Sequence, residues 1–252
     1  MYEFFFVCIF VLVSLSFLIF LLHENNQGKQ IQNVFKSKNN KKNCLFLIAH
    51  PDDEAMFFTP SILSFLREGW EVYLVCFSRG SAGGNPYTRT IELFESTLSL
   101  GIKSANVKIL ENQELQDGLD TYWNTNLISS IIHQYVSSWN ISICISFDMF
   151  GITGHINHIA ISKGMKLFAK KYNTIPCFVL ETVPSIIRTY ISIFDILRTI
   201  CLRKKYDNTI LFTTLSYSAW YAMQKHTSQF HLLRKLFIIF SRYSHINLLQ
   251  RL

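Results

Sequence analysis

Charged side chains are scarce in this sequence of 252 residues, making up 16% of it against 49% for hydrophobic residues. Paired cysteines are also lacking, because the six cysteines are widely spaced and form no C-x-x-C motif. This spacing argues against a structural zinc site made of thiolates and is typical of a protein in a reducing compartment. The formal net charge is +7, yet no aromatic-interleaved RNA-binding motif accompanies the basic residues. We therefore expect an anionic membrane surface, and no nucleic acid, as the partner of this charge.

Residues 4–22 form a long apolar run in which only Ser14 and Ser16 are polar. A helix of that length, at ~1.5 Å per residue, nearly crosses a ~30 Å hydrocarbon layer. A cleaved signal peptide is the alternative, but a basic n-region and a small-residue cleavage site are lacking. We predict a retained single-pass anchor over residues 1–22, a polar linker over 23–42 and one domain over 43–252. Lysines follow the run and none precedes it, so the positive-inside rule places the domain in the cytosol.

Short β-type runs alternate with longer helical runs in the first part of the domain. The predicted strands are residues 44–49, 71–78, 106–111, 142–148 and 177–183, and the predicted helices are residues 55–68, 88–100, 122–138 and 159–172. This alternation predicts an α/β, Rossmann-like three-layer fold with a mostly parallel sheet, in which ligands bind beyond the carboxyl ends of the strands. Residues 184–252 read as a basic, apolar helical region. Within it, residues 228–252 fit either an amphipathic helix on a membrane or a helix packed on the body.

A cluster of metal-type ligands follows the first predicted strand. Residues 50–54 read His-Pro-Asp-Asp-Glu, so three carboxylates and one imidazole lie within five residues. Their repulsion and loss of water are costly beside a buried strand, and a bound divalent cation would relieve both. Pro51 stiffens the turn and fixes the directions in which the side chains leave it. His155 and His158, which follow the fourth predicted strand, could complete such a site.

His50, Asp53 and His158 together offer two imidazoles and a carboxylate, which suits catalytic zinc with one position left for water. The same set serves non-haem Fe²⁺, so the residues alone do not choose the metal. Asp52 could then take a proton, and His155 could stabilise an oxyanion or donate a proton.

These residues also have structural alternatives. An H-x-x-H pair is common without a metal, and the acidic cluster alone could cap a helix. Glu54 reads as a carboxylate at a helix N-terminus or as a group that supports the ligands. Residues 80–84, which are glycine-rich, match neither the dinucleotide nor the Walker pattern. We predict a flexible loop at the rim of the site there.

Two motifs in combination resemble those of the PIG-L/LmbE-like deacetylases: residues 49–54, Ala-His-Pro-Asp-Asp-Glu, and residues 151–158, Gly-x-x-Gly-His-x-Asn-His. Further similarity lies in residues 88–93, 147–148, 225–229 and 237–243, the last two of which look like the eukaryotic membrane-bound branch. The resemblance implies an LmbE-like fold and a zinc-dependent N-deacetylase. It implicates His50, Asp53 and His158 as metal ligands, Asp52 as general base, His155 as the oxyanion-stabilising group, and Arg89 and His226 as substrate-binding residues.

For the eukaryotic branch the resemblance further implies hydrolysis of the N-acetyl group of N-acetylglucosaminyl-phosphatidylinositol (GlcNAc-PI) in GPI-anchor biosynthesis. The implied protein is anchored in the endoplasmic reticulum membrane and faces the cytosol. Two rivals stay open: a zinc amidase of a soluble amino-sugar conjugate, and a non-catalytic membrane scaffold with a vestigial metal site. The chain departs from the family pattern at residues 78–87, which leaves the contacts to the substrate headgroup open.

Overall fold

The computed structural model describes residues 31, 42–118, 120–185, 189, 209–214 and 216–252. The predicted anchor, residues 1–22, and nearly all of the predicted linker lie outside the described residues. Within the described part of the chain, no helix is both long and apolar enough to cross a bilayer.

A seven-stranded sheet, counted over the described residues, forms the centre of the domain. Its strands are β1 (Asn43–Ile48), β2 (Glu71–Cys76), β3 (Val107–Ile109), β4 (Ile143–Phe147), β5 (Cys177–Leu180), β6 (Thr209–Thr213) and β7 (Ile246–Arg251). Their order in space is β3-β2-β1-β4-β5-β7-β6. The first five run parallel, whereas β7 pairs antiparallel with both β5 and β6. The predicted α/β fold with a mostly parallel sheet is confirmed, and an antiparallel edge makes the sheet mixed.

Strand β1 is the middle one of the five parallel strands, and its side chains are apolar on both faces. Phe46 and Ile48 pack into the core on one face, whereas Leu45 and Leu47 pack into the core on the other. A continuous apolar run of this kind is typical of a parallel strand covered on both sides by helices. The polar turn that follows β1 begins where the strand ends, and the side chains of His50, Asp52, Asp53 and Glu54 in it are buried.

The helices are α1 (Thr59–Arg67), α2 (Pro86–Leu100), α3 (Thr125–Ser138), α4 (Ile156–Tyr172), α5 (Ser216–Lys225) and α6 (Leu232–Phe240). A π-helical turn, Glu54–Phe58, leads into α1. Helix α2 begins where Asn85 caps it by accepting hydrogen bonds from the backbone N–H groups of Tyr87 and Thr88. With the π-helical turn counted as the start of α1, the four helices predicted before residue 184 agree with the structure to within three residues at each end.

The C-terminal region departs from the sequence prediction. Residues 184–252, predicted as helical, contain β6 and β7 as well as α5 and α6. The interpretation of residues 228–252 as one helix is wrong, because α6 ends at Phe240 and β7 begins at Ile246. Buried Asn247 holds this strand: its Oδ1 accepts hydrogen bonds from N and Oγ of Ser61, at 3.1 and 2.7 Å. Periodicity alone does not distinguish a short apolar strand from a buried helix segment.

Candidate metal centre and active site

The carboxyl ends of β1 and β4, which are neighbours in the sheet, open onto a cavity of about 400 Å³. Six residues singled out in the sequence line this cavity: His50, Asp52, Asp53, Arg89, His155 and His158. Residues from the glycine-rich loop and from α6 complete its wall, through Ala82, Gly83 and Arg234. The cavity therefore lies where the topology of a parallel sheet places a ligand.

Three histidines meet on one side of the cavity. One ring nitrogen from each of His50, His155 and His158 lies within 4.8 Å of the other two. Asp53 joins them, because its Oδ1 is 3.2 Å from Nε2 of His158 and its Oδ2 is 3.8 Å from Nδ1 of His50. The three predicted ligands, from two segments about a hundred residues apart, are thus in one place together with His155.

The contact between His158 and Asp53 provides a test of whether a cation fits. Nδ1 of His158 lies 3.0 Å from the carbonyl oxygen of Gly151, which can only accept, so in the neutral ring the proton is on Nδ1. Nε2 then carries a lone pair, is buried, and makes no hydrogen bond to the described residues. That lone pair faces a carboxylate oxygen of Asp53 across 3.2 Å. A lone pair and a carboxylate oxygen at this distance repel each other unless a proton or a cation lies between them, so the residues present fit a divalent metal ion.

Asp53 is held rigidly in its orientation by the backbone. Its Oδ2 accepts hydrogen bonds from the N–H groups of Ala49 and His50, both at 2.9 Å. Burial by itself would raise the pKa of Asp53, but the imidazoles of His158 and His50 and these hydrogen bonds hold it well below its usual range. The carboxylate is thereby kept ionised, as a metal ligand must be.

Asp52 points away from the histidines and towards two arginines. Its Oδ2 lies 3.2 Å from Nη2 of Arg89 and 3.0 Å from Nη2 of Arg234. Burial raises the pKa of Asp52, and the positive charges of Arg234 and Arg89 oppose that rise. The two neighbouring aspartates thus occupy different environments, with Asp53 among imidazoles and Asp52 among guanidinium groups.

The backbone of Asp52 has a φ of 131°, which is strained for a residue with a side chain. Glu54 supports it, because Oε2 of Glu54 accepts a hydrogen bond from the N–H of Asp52 at 3.2 Å. The other oxygen of Glu54 lies 2.6 Å from both Oγ of Ser96 and Nε2 of His226. His226 therefore lies behind the turn, fully buried, and is not among the residues that line the cavity.

His226 and Glu54 form an ion pair that is fully buried. Burial would lower the pKa of His226, but the charge of Glu54 and the hydrogen bond to it raise the pKa above its usual value. The segment after His226 is held in turn by α2, since Glu92 accepts hydrogen bonds from Oγ of Ser228 and Oγ1 of Thr227. The tail motif at residues 225–229 therefore attaches the C-terminal region to the back of the site.

His155 caps α4, and its Nδ1 accepts a hydrogen bond from the N–H of Asn157 at 3.3 Å. In the neutral ring the proton is therefore on Nε2, which is free to donate. Burial, reinforced by the charges of His50 and His158, lowers the pKa of His155 to about 4. The ring is accordingly a neutral hydrogen-bond donor at physiological pH.

Arg89 fills the space between the turn after β1 and the glycine-rich loop. Its guanidinium donates to the carbonyl oxygen of Gly80 at 2.5 Å and to that of Pro51 at 2.6 Å. A Cβ atom at Gly80, where φ is +70°, or at Gly83 would collide with this guanidinium. Gly80 and Gly83 thus allow the loop to approach Arg89 closely at the rim of the cavity.

Two residues of the site, Asp117 and Arg234, are not predicted from the sequence. Asp117 follows β3, and its Oδ1 lies 3.0 Å from Nε2 of His50. Arg234 lies on α6, in the segment for which the sequence fits either an amphipathic helix on a membrane or a helix packed on the body. An acidic residue just beyond the end of a third parallel strand is the pattern that could have identified Asp117. No comparable pattern identifies Arg234, since helical periodicity does not say which element a face contacts.

Comparisons with known proteins agree with the geometry. Residues 45–169 match the family model described as PIG-L: GlcNAc-PI de-N-acetylase. The chain is 38% identical over 243 residues to the probable N-acetylglucosaminyl-phosphatidylinositol de-N-acetylase of Dictyostelium discoideum, covering 83% of this chain and 93% of that protein. It is 35% identical over 208 residues to the N-acetylglucosaminyl-phosphatidylinositol de-N-acetylase of Bos taurus, covering 81% of each.

The fold is similar to that of N,N'-diacetylchitobiose deacetylase from Pyrococcus horikoshii, with a TM-score of 0.60 and 16% sequence identity. The superposition covers 88% of this chain and 86% of that one. At this identity the similarity concerns the fold alone.

Proposed function

The chain belongs to the PIG-L family of GlcNAc-PI de-N-acetylases, and on that premise we propose that it hydrolyses the N-acetyl group of GlcNAc-PI. The products are glucosaminyl-phosphatidylinositol and acetate, a step of GPI-anchor biosynthesis. The observation that carries the chemistry is the 3.2 Å approach of His158 Nε2 to Asp53 Oδ1, beside His155 and Asp52. Such an arrangement suits metal-assisted hydrolysis of an amide.

His50, Asp53 and His158 would hold the cation, which when bound supplies a Lewis acid for the acetamide carbonyl and lowers the pKa of water. Asp52 accepts a proton from water as the water oxygen bonds to the acetyl carbon. The Nε2–H of His155 donates a hydrogen bond to the carbonyl oxygen as negative charge develops there. Asp52 then returns the proton to the glucosamine nitrogen as the C–N bond breaks, so acetate and a free amine leave.

The arginines have a positioning role in this scheme. Arg89 donates hydrogen bonds to the carboxylate of Asp52 and to the carbonyl oxygen of Pro51, and so fixes the turn. Glu54 fixes the same turn by accepting a hydrogen bond from the N–H of Asp52. The base is thereby oriented before substrate arrives, which avoids reorganisation during the reaction.

We propose zinc as the cation, because two imidazoles and one carboxylate with an open position are typical of catalytic zinc. Iron(II) is the other cation that this ligand set suits. We also propose that the protein is a single-pass protein of the endoplasmic reticulum membrane with its domain in the cytosol. The apolar run of residues 4–22, the lysines that follow it and a lipid-linked substrate support this placement.

The test compares GlcNAc-PI with free GlcNAc as substrates for membranes that carry the full chain. We expect glucosaminyl-phosphatidylinositol from the wild type and little product from free GlcNAc. Asp52→Asn should lower the rate by about 10²–10⁴-fold, the usual contribution of a general acid–base group. Asp120→Asn is the matched control, because Asp120 is exposed.

Three other outcomes would each reject part of the proposal. Equal rates for Asp52→Asn and the wild type would refute the role of Asp52. Preference for free GlcNAc or another soluble amino sugar would favour a soluble-substrate amidase. Absence of product from both substrates with the wild type would favour a scaffold.

A further inference from the structure

Helix α6 forms one wall of the active-site cavity. On its inner side, Nη2 of Arg234 lies 3.0 Å from Oδ2 of Asp52, and the ring of Phe237 packs edge-on against Phe57 with centroids 5.5 Å apart. Ile238 is fully buried. These contacts fix the helix and determine which of its sides faces outward.

The outer side of α6 is a row of exposed apolar side chains, which we call the outer face. Its members and their exposed fractions are Leu232 (68%), Leu233 (73%), Leu236 (41%), Ile239 (46%) and Phe240 (51%). Their spacing of one, three and four residues places them along a single stripe of the helix. Soluble monomers rarely leave such a contiguous apolar patch in water, so this face is expected to have a partner.

The charges around the outer face select the partner. From residue 208 to the C-terminus the sequence contains no aspartate or glutamate, while lysines and arginines recur there. Lys235 lies on α6 itself with its Nζ over the ring of Phe230, and Lys225 ends the adjoining helix α5. A second copy of this basic chain would be repelled, whereas an anionic lipid surface attracts it.

Exposed tyrosines strengthen the case for lipid. Tyr217 and Tyr221 lie on α5, which packs against α6, and they are 73% and 45% exposed. Tyrosine is typical of the boundary between membrane and water, because its ring is apolar and its hydroxyl stays hydrated. A short amphipathic helix with basic residues and flanking tyrosines is the pattern of a segment that lies in the plane of the interface.

We propose that the outer face of α6 inserts into the interfacial region of an anionic bilayer, so that the active-site cavity opens at the membrane surface. The inference deepens the proposed function and rests on it for the lipid nature of the substrate. Insertion places Arg234, on the inner side of the same helix, between the lipid surface and Asp52. A lipid-linked headgroup can then reach the cavity while its acyl chains stay in the bilayer.

The test uses the full chain in vesicles of phosphatidylcholine with ~20% phosphatidylinositol, which gives an anionic surface. Cys8 and Cys201 are replaced by serine, since Cys44, Cys76, Cys144 and Cys177 are buried. Leu233→Cys then carries an environment-sensitive fluorophore. The matched control is Leu98→Cys, because Leu98 is 63% exposed but lies near the far end of α2 from the cavity.

We expect the emission of the label at position 233 to shift to shorter wavelength and to be quenched by lipids with a spin label near the headgroup. The label at position 98 should show neither change. Emission at position 233 like that at position 98 would overturn the proposal. A blue shift without quenching, accompanied by a cross-linked dimer, would also overturn it in favour of a second copy.

This readout does not depend on catalysis, so a chain without deacetylase activity still tests membrane insertion. A second readout, the rate of deacetylation, links membrane insertion to activity. Leu232→Ser with Leu233→Ser should reduce the rate on GlcNAc-PI in vesicles and leave the rate on a water-soluble GlcNAc-inositol-phosphate unchanged. Equal rates of variant and wild type on both substrates would contradict the inference, and absence of activity on both in the wild type would contradict the proposed function alone.

Discussion

Replacement of His226 by alanine should strongly destabilise the fold. The imidazole of His226 is 2.6 Å from Oε1 of Glu54, and both side chains are fully buried. Without His226, Glu54 retains the hydroxyl of Ser96 and the N–H of Asp52 but loses its charged partner. A buried carboxylate is then left with too little compensation for its lost water.

The expected loss is about 3–5 kcal/mol in the free energy of unfolding, the usual cost of removing one partner from a buried ion pair. For a chain of this length each kcal/mol lowers Tm by about 2–4 °C, so Tm should fall by about 6–20 °C. Glu54→Gln combined with His226→Ala removes both charges of this buried pair. The double variant should therefore lose about 1–3 kcal/mol less than the sum of the two single variants.

The effect of His226→Ala should depend on pH. The pKa of His226 is raised in the folded state above its ordinary value of 6.5. A raised histidine pKa stabilises the fold fully below the unfolded value, and this contribution is lost as pH rises through the folded pKa. The difference between wild type and variant should thus be largest below that ordinary value and should shrink as the pH is raised.

The assay is urea unfolding of the detergent-solubilised full chain, followed by tryptophan fluorescence between about pH 6 and pH 9. His231→Ala serves as the control, because His231 is exposed, and it should change stability by less than about 0.5 kcal/mol. A loss below about 1 kcal/mol for His226→Ala, or strictly additive losses in the double variant, would refute the buried ion pair as the support of the turn.

Two further variants test the packing around the site by the same unfolding assay. Gly80→Ala should lose about 1–3 kcal/mol more than Gly69→Ala, because both glycines have a φ near +70° but a Cβ at Gly80 meets Arg89 and one at Gly69 meets open space. Equal losses would show that the contact with Arg89 is unimportant. Asn247→Ala should lose about 2–4 kcal/mol, because it leaves the N–H of Ser61 and a buried carbonyl unpaired. A loss under about 1 kcal/mol would contradict its role in holding β7.

The sequence predicted the centre of the fold because the relevant signals are local. The continuous apolar run of β1 indicates a central parallel strand, and the polar residues at its end indicate a site. His158 could be linked to His50 across a long stretch of chain, because β1 and β4 were both recognisable and their carboxyl ends share one edge of the sheet. The predicted sheet topology thus indicated that His50 and His158 are close in space, which their separation in the sequence does not show.

The C-terminal region was less predictable because its structure depends on distant partners. Strand β7 lies between β5 and β6, and Asn247 on it bonds to Ser61 in α1. Neither this strand pairing nor this hydrogen bond changes the hydrophobic periodicity of the local sequence. Arg234 is similar, since it belongs to the site only because α6 packs over the turn that contains Asp52. Which neighbour a helix face meets is a property of the whole fold.

The most direct test of the metal-dependent hydrolysis is acetate release from GlcNAc-PI by the purified full chain, measured together with its metal content. We expect about one zinc per chain, loss of both zinc and acetate release after prolonged chelation, and recovery when zinc is restored. Asp53→Asn should bind little zinc and release little acetate, whereas Asp120→Asn should behave as the wild type. Undiminished acetate release from a metal-free chain would contradict the assignment of His50, Asp53 and His158 as a catalytic metal site.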